Sequence, residues 1–476
     1  MSEPLWTRDA FVVATGGTVR GEVAEAITGI SIDSRTLQPG DAFVAILGDR
    51  FDGHDFAAAA LDAGASLALV AADRVKDLPE DGRYVIVDDP LEALRKLGVA
   101  ARGRTNARIV AVTGSVGKTS TKEALRLCLS RSGKVHASVA SFNNHWGVPL
   151  TLARMPADTE FGVFEIGMNH AGEITPLVKM VRPHVAIITT VQAVHLEFFG
   201  SVEKIAKAKA EIFDGLEPNG VAILNRDNVQ FDLLTFLASA AGVRKIRTFG
   251  EMPGADSVAE KVSLQPGSSS VQARILGQEL TYKIGAAGRH HVKNTLAVLT
   301  AVVELGANLA LAGLALAEMR SPKGRGEVTE LSVQGGTINL IDESYNANPA
   351  SMRAALAVVA EAPVSRPGRR VAVLGDMREL GEDSERLHAE LIGPVKQAAV
   401  DVVYCAGPFM HALWDQLPKA IRGAYSDEAK GLTETLLSEV RSGDVIMIKG
   451  SLGTRMGPLV DALKKEFPPV DDTAAA

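Results

Sequence analysis

The eight residues Thr113-Gly114-Ser115-Val116-Gly117-Lys118-Thr119-Ser120 carry what is needed to hold a polyphosphate. An apolar, β-branched run, RIVAV, precedes them, and a helical run, KEALRLCLS, follows. In that context the backbone N–H groups at the helix start, together with the positive end of its dipole, favour an anion. Gly114 and Gly117 let the main chain approach phosphate oxygens without a Cβ in the way. Lys118 reaches the outer phosphates, and the Thr119 hydroxyl is a ligand for Mg²⁺. The common phosphate loop, G-x-x-x-x-G-K-[ST], requires glycine at 112, where Val112 stands, so this is the shorter T-G-S-x-G-K-T form.

Five further positions could serve phosphate chemistry, and the first four have a plainer alternative. Glu165 ends the strand FGVFE, at the sheet edge where α/β proteins bind ligands, and could hold the same Mg²⁺ as Thr119; otherwise it is a solvated strand end. His195 follows VAIITTV and, as a neutral imidazole, could hold a second Mg²⁺ or Mn²⁺, although an isolated histidine is commonly structural. Lys209, in AKAKAEIF, reads by spacing as a solvated helix charge. Arg325 lies in the charged, Gly-rich segment RSPKGRGEVTE. There it is either a linker cation or an arginine that reaches a γ-phosphate as a neighbouring domain closes. Asp342 ends the strand INLID beside Tyr345 and Asn346 and fits a contact near the ribose or phosphates.

These residues need a framework, and the 476-residue chain is long enough for about three domains. Hydrophobic residues at 46% and charged residues at 22% suit a globular protein. The net charge of −7, with no basic run, argues against a nucleic-acid partner. Two isolated cysteines, Cys128 and Cys405, exclude a disulfide scaffold and suit a reducing cytoplasm. The N-terminal residues lack a signal-peptide core. TLAVLTAVVELGANLALAGLALAEM, at 295–319, is long enough to suggest a membrane span, but Glu304, Asn308 and two glycines interrupt it. A pair of buried Ala/Leu-rich helices, with no membrane insertion, is expected instead.

Apolar runs alternate with helical stretches, as in parallel sheets covered on both faces. Texture divides the chain into a small α/β domain at 1–104, a phosphate-loop domain with a parallel sheet at 105–320, and a Rossmann-like α/β domain at 321–476.

The shorter loop resembles that of the Mur ligase superfamily, and other segments resemble the same family in the same order. They are SIDSRTLQPGDAFVAILGDRFDGHDF, SFNNHWGVP, FEIGMNHAGEI, HLEFFGS, AKAKAEIF, GRHHVKN, DESYNANP, GDMRELG and KGS. SFNNHWGVP, DESYNANP and GDMRELG look like the branch that adds D-alanyl-D-alanine, and no DNPR segment of the diaminopimelate-adding branch occurs. Two positions depart from the pattern: His291 stands where the family often has Asn, and LGTRM after Lys449-Gly450-Ser451 is less polar than usual.

The resemblance implies a three-domain α/β ligase. It would use ATP and Mg²⁺ to join D-alanyl-D-alanine to UDP-N-acetylmuramoyl-tripeptide through an acyl phosphate, as a monomer in a bacterial cytoplasm. It assigns ATP to residues 114–120, Asn294, Arg325 and Asp342, and the metals to Thr119, Glu165 and His195. Lys118, Lys209, His195 and Arg325 would act in catalysis. Ser34, Arg35, Asn143 and Asn144 become candidates for the UDP-sugar. The family's lysine at the position of Lys209 is commonly carbamylated, with Lys207 as the nearby competitor. Three rivals stand behind this reading. The first is a related ligase such as folylpolyglutamate synthetase, against which the DSR…DGH module argues. A phosphate-loop GTPase would need an NKxD guanine reader that Asn225-Arg226-Asp227-Asn228 does not match. A non-catalytic nucleotide module would not need all of Lys118, Thr119, Glu165, His195 and Lys209.

Overall fold

The computed structural model describes residues 4–48, 51–139, 141–194, 196–265, 267–364 and 367–470. Among the described residues three large sheets follow one another along the chain, beside a two-stranded antiparallel pair, Trp6–Thr7 with Ala26–Ile27. The first has five strands, in the order Thr18–Arg20, Tyr84–Val87, Leu67–Ala71, Asp41–Val44 and Gly29–Ser31; it is parallel except for its first strand.

The second sheet has nine strands and carries the glycine loop. Its strand Arg108–Thr113 lies between Phe161–Glu165 and Val185–Ile188, parallel to both. Along that strand Val110 and Val112 face one apolar core while Ile109 and Ala111 face the other. Burial on both faces explains why the run is uniformly apolar rather than alternating. Register places Glu165 opposite Val112 and Ile188 opposite Thr113, so three strand ends meet at the loop.

The expected parallel sheet continues through Val221–Asn225 and Lys245–Gly250 to Ser257–Gln265. It then changes character: Ser257–Gln265, Ser268–Ile275 and Gln278–Ile284 form an antiparallel meander that parallel packing did not anticipate. Along Ser269–Ile275 buried residues alternate with partly buried or exposed ones, because one face packs on the helices and the other faces outward.

The 295–319 stretch forms two helices, Arg289–Glu304 and Leu309–Ala315. The first buries Thr295 to Val302 against the loop-side core, whereas the second leaves Leu311 and Leu314 exposed. Among the described residues no helix is long and apolar enough to cross a membrane.

The third sheet has six strands, in the order Glu327–Val333, Gly336–Glu343, Val445–Lys449, Arg370–Gly375, Val402–Ala406 and Arg422–Ser426. Its first pair is antiparallel and the others are parallel. The RSPKGRGE segment between the second and third sheets forms no helix or strand through Gly326, as its composition suggested. The first sheet's unit is fastened to the second by Trp6, whose Nε1 donates to the Ala153 carbonyl at 2.9 Å and whose ring lies 3.7 Å from the Arg104 guanidinium. Arg154 adds a bond from Nε to the Ile30 carbonyl at 2.6 Å.

Candidate active site

The loop forms because its residues leave few alternatives. Gly117, with φ 84°, caps the helix Lys118–Leu129 in a left-handed conformation that side-chain-bearing residues adopt only with strain. Gly114 has φ 151°, and a Cβ there would meet the Thr189 hydroxyl. That hydroxyl is occupied in turn, donating to the Val116 carbonyl at 2.6 Å. Ser115 is tied on both sides to the next strand's exit: its N–H donates to Thr190 O at 2.8 Å and its Oγ accepts from Gln192 N at 2.9 Å. Ser120 folds back on the Gly117 carbonyl at 3.1 Å. The loop is held in place by hydrogen bonds to its own helix and to the neighbouring strand end.

Above it opens a cavity of about 890 Å³, walled by the second and third units together. Residues 115–120, Glu165 and Asn294 line it from one side, and Arg325, Glu343, Tyr345 and Lys449 from the other. Lys118 donates to the Gly114 carbonyl at 2.8 Å, the curled posture of a loop lysine. Burial lowers its pKa and the nearby Arg325 adds to that, while Glu165 opposes it. A polyanion in the cavity would relieve both cations.

Glu165 is 1% exposed. Its Oε1 accepts from Asn143 Nδ2 at 2.7 Å, while Oε2 is buried with no hydrogen-bond partner. An orphaned carboxylate oxygen at this depth is costly unless a cation or donor completes it. Thr119 is buried, and its hydroxyl lies 3.4 Å from the Ser141 hydroxyl. Among the described residues no three His, Cys, Asp or Glu side chains form a metal cluster. The Thr119 hydroxyl and the unpaired Glu165 oxygen, both lining the cavity, are a donor set that fits Mg²⁺, which takes one or two protein oxygens and completes its shell with phosphate and water.

Lys209 departs from its spacing: it is 2% exposed, whereas Lys207 is at the surface, paired with Glu203 at 2.7 Å. Burial lowers the Lys209 pKa well below the ordinary value, and the Lys118 cation pushes it further. The reading of Lys209 as a solvated charge fails. Arg325 is no free linker cation either. It stacks 4.1 Å from the Tyr345 ring and reaches Ser141 Oγ at 3.4 Å, crossing from the third unit to the second.

Other sequence candidates are arranged differently. The Asp342 carboxylate does not line the cavity; it accepts from Ser344 N at 3.0 Å and Oγ at 2.6 Å, which closes its own turn. Its neighbour Glu343 faces the cavity instead, paired with Lys449 at 3.0 Å. Asn144 accepts from Gly147 N at 2.9 Å at the start of a helix, and only Asn143 of this pair lines the cavity. Ser34 and Arg35 lie in the first unit, away from that cavity, with Arg35 paired to Asp33 at 2.7 Å. His195 lies outside the described residues.

The sequence reading passed over Ser141, Asn169, His290 and Glu343 as cavity residues, although each sits in or beside a motif already singled out. His291 is buried, its pKa lowered by desolvation, and its Nδ1 has no hydrogen-bond partner.

A glycine loop beside a buried, half-satisfied carboxylate, with an arginine reaching across from the third unit, is the arrangement of a phosphate-loop α/β enzyme with a cavity between two units. Comparison with known proteins narrows the class. Residues 26–126 match the Mur ligase family catalytic domain, 112–302 the Mur ligase middle domain, and 324–452 the Mur ligase glutamate ligase domain. The chain belongs to the Mur ligase family. It is 36% identical to the UDP-N-acetylmuramoyl-tripeptide–D-alanyl-D-alanine ligase of Escherichia coli, over 92% of this chain and 93% of that one. Among solved structures, MurF from Acinetobacter baumannii superposes with a TM-score of 0.83 at 31% identity, covering 97% of this chain and 99% of that one. MurF from Thermotoga maritima in complex with ADP gives 0.77 at 29%, covering 92% and 97%.

Proposed function

We propose that this chain uses ATP to join D-alanyl-D-alanine to UDP-N-acetylmuramoyl-tripeptide, making the UDP-muramoyl-pentapeptide for peptidoglycan in a bacterial cytoplasm. The observation that carries the reading is the two-unit cavity: Lys118 and Glu165 on one wall, and Arg325 crossing to Ser141 from the other. Near full-length similarity to ligases of that name supports the choice of substrates.

The chemistry follows from the charges. A carboxylate does not form an amide in water without activation. An acceptor carboxylate oxygen attacks the γ-phosphorus, the bond to the β-phosphate oxygen breaks, and ADP leaves. The dipeptide amine then adds to the acyl carbon, loses a proton, and phosphate departs from the tetrahedral intermediate. Both steps concentrate negative charge between nucleotide and acceptor, so preorganised cations count for more than a protein nucleophile. In this reading Lys118 holds the outer phosphates and Arg325 stabilises the transferring oxygens. Asn294, whose amide lies against Gly117, contacts the nucleotide. Mg²⁺ held by Thr119 and Glu165, with a second Mg²⁺ or Mn²⁺ at His195, would neutralise phosphate charge.

Lys209 suits carbamylation on chemical grounds. Only a neutral amine adds to CO₂, and burial beside Lys118 favours the neutral form. Loss of one proton then leaves a carbamate, an anion placed among cations. We assign residues 1–104 to UDP-sugar binding through Ser34 and Arg35, 105–320 to ATP, and 321–476 to closure and the dipeptide.

The test is direct. Purified protein, ATP, Mg²⁺ and UDP-muramoyl-tripeptide should release phosphate only when D-alanyl-D-alanine is added. Equal turnover with L-amino acids or a folate would overturn the assignment.

A further inference from the structure

Lys122 is 0% exposed, yet the reaction above gives it no task. It lies three residues beyond Thr119, about 4.5 Å along the same helix and on the same face. Its Nζ donates to the Ser138 carbonyl at 2.8 Å and pairs with Glu123 at 2.6 Å. Burying an ammonium group costs several kcal/mol (~) before its partners compensate, and an apolar side chain would fill the same space without that penalty. What an apolar side chain could not do is bond a carbonyl.

That carbonyl marks where the chain leaves the sheet. The strand Val135–Ala137 ends there, and Ser138 N makes a last bond to Val163 O at 3.3 Å. Ser138 and Ser141 both lie against that helix. Three residues on, Ser141 meets Thr119, so helix and segment touch at two points with matching spacing. Two residues further, Asn143 donates to Glu165 Oε1, and its own carbonyl accepts from Gly167 N at 2.8 Å. Ser138 also reaches the other end of this circuit, its Oγ accepting from Glu165 N at 3.5 Å.

We propose that Lys122 is a positioning residue for the divalent-cation site: by anchoring Ser138, whose Oγ accepts from Glu165 N, it sets the aim of Glu165 Oε2. The assignment rests on the metal reading of Glu165 given above. Partners behind a metal ligand typically change affinity about 10–100-fold when lost, and the same scale is expected here.

The test reads binding rather than turnover. Free Mn²⁺ is followed by electron paramagnetic resonance as it is titrated into the full-length protein with a nonhydrolysable ATP analogue. Lys122→Met should weaken Mn²⁺ binding about tenfold or more while nucleotide affinity without metal stays within about twofold. Lys122→Arg, which keeps charge and donors, should recover most of the loss. If the methionine variant does not fold, Lys122→Gln, with an amide NH₂ and no charge, should fall between wild type and that tenfold loss. Folded Met or Gln variants that bind Mn²⁺ like wild type, with only a lower melting temperature, would overturn the proposal. If the unaltered protein binds no Mn²⁺ beside the nucleotide, the metal reading fails and this inference with it.

Discussion

Asn143 and Glu165 come from different parts of the second unit and share one hydrogen bond, 2.7 Å from Nδ2 to Oε1, that leaves the carboxylate's other oxygen buried and unpaired. The pair is 22 residues apart in sequence. The bond restrains the side chain's rotation, and in the metal reading proposed above the unpaired oxygen is where a cation binds.

Asn143→Ala should therefore free Glu165 to rotate. The Mg²⁺ concentration for half-maximal phosphate release should rise about 10–100-fold, with less change in the rate at saturating Mg²⁺. Glu165→Ala should lose activity at every Mg²⁺ concentration. A Mg²⁺ titration of both variants separates the two effects.

Gly117→Ala places a methyl group against Asn294 Nδ2, 2.7 Å away, in a backbone conformation with φ 84°. The left-handed geometry alone costs about 1–2 kcal/mol. Nucleotide affinity should fall more than that cost explains, because Asn294 must also move. Calorimetric titration with ADP, alongside the melting temperature, checks both parts.

Arg325→Lys should lower the rate of phosphate release about 10²–10³-fold, close to the effect of Arg325→Ala. Lysine keeps the charge but cannot stack on Tyr345 while its head group reaches Ser141. ATP affinity should change little, since the loop itself remains. Single-turnover kinetics distinguishes the two steps.

Lys209 makes protein stability pH-dependent in CO₂-free buffer. Its folded pKa is lowered well below the ordinary value, so at pH values between that lowered pKa and about 10.4 the unfolded chain holds the extra proton. Stability from this group therefore rises with pH across that window. The burial penalty is greatest below it, where both states are protonated. Lys209→Met should remove this slope, as read by urea unfolding at several pH values. Adding ¹³C-bicarbonate to wild type should give a carbamate carbon signal that the variant lacks.

Much of the site was legible from local pattern, because local pattern causes it. The glycine loop between RIVAV and KEALRL is a short-range structure: the left-handed Gly117 and the helix that follows need only their neighbours. Strand ends such as Glu165 could be placed because apolar runs buried on both faces stop where a charge appears. The antiparallel strands from Ser257 to Ile284 went unread because half-buried alternation is a weaker signal than a fully apolar run.

Tertiary structure decided what depended on burial and on contacts between units. Spacing reads Lys207 and Lys209 alike, and only packing puts one in solvent and the other at 2% exposure. Asp342 and Glu343 are adjacent at a strand end, where alternation sends their side chains to opposite sides, but which side holds the cavity depends on how the third sheet meets the second. The reach of Arg325 to Ser141, across 184 residues of chain, follows from that same meeting of units, which no local preference encodes.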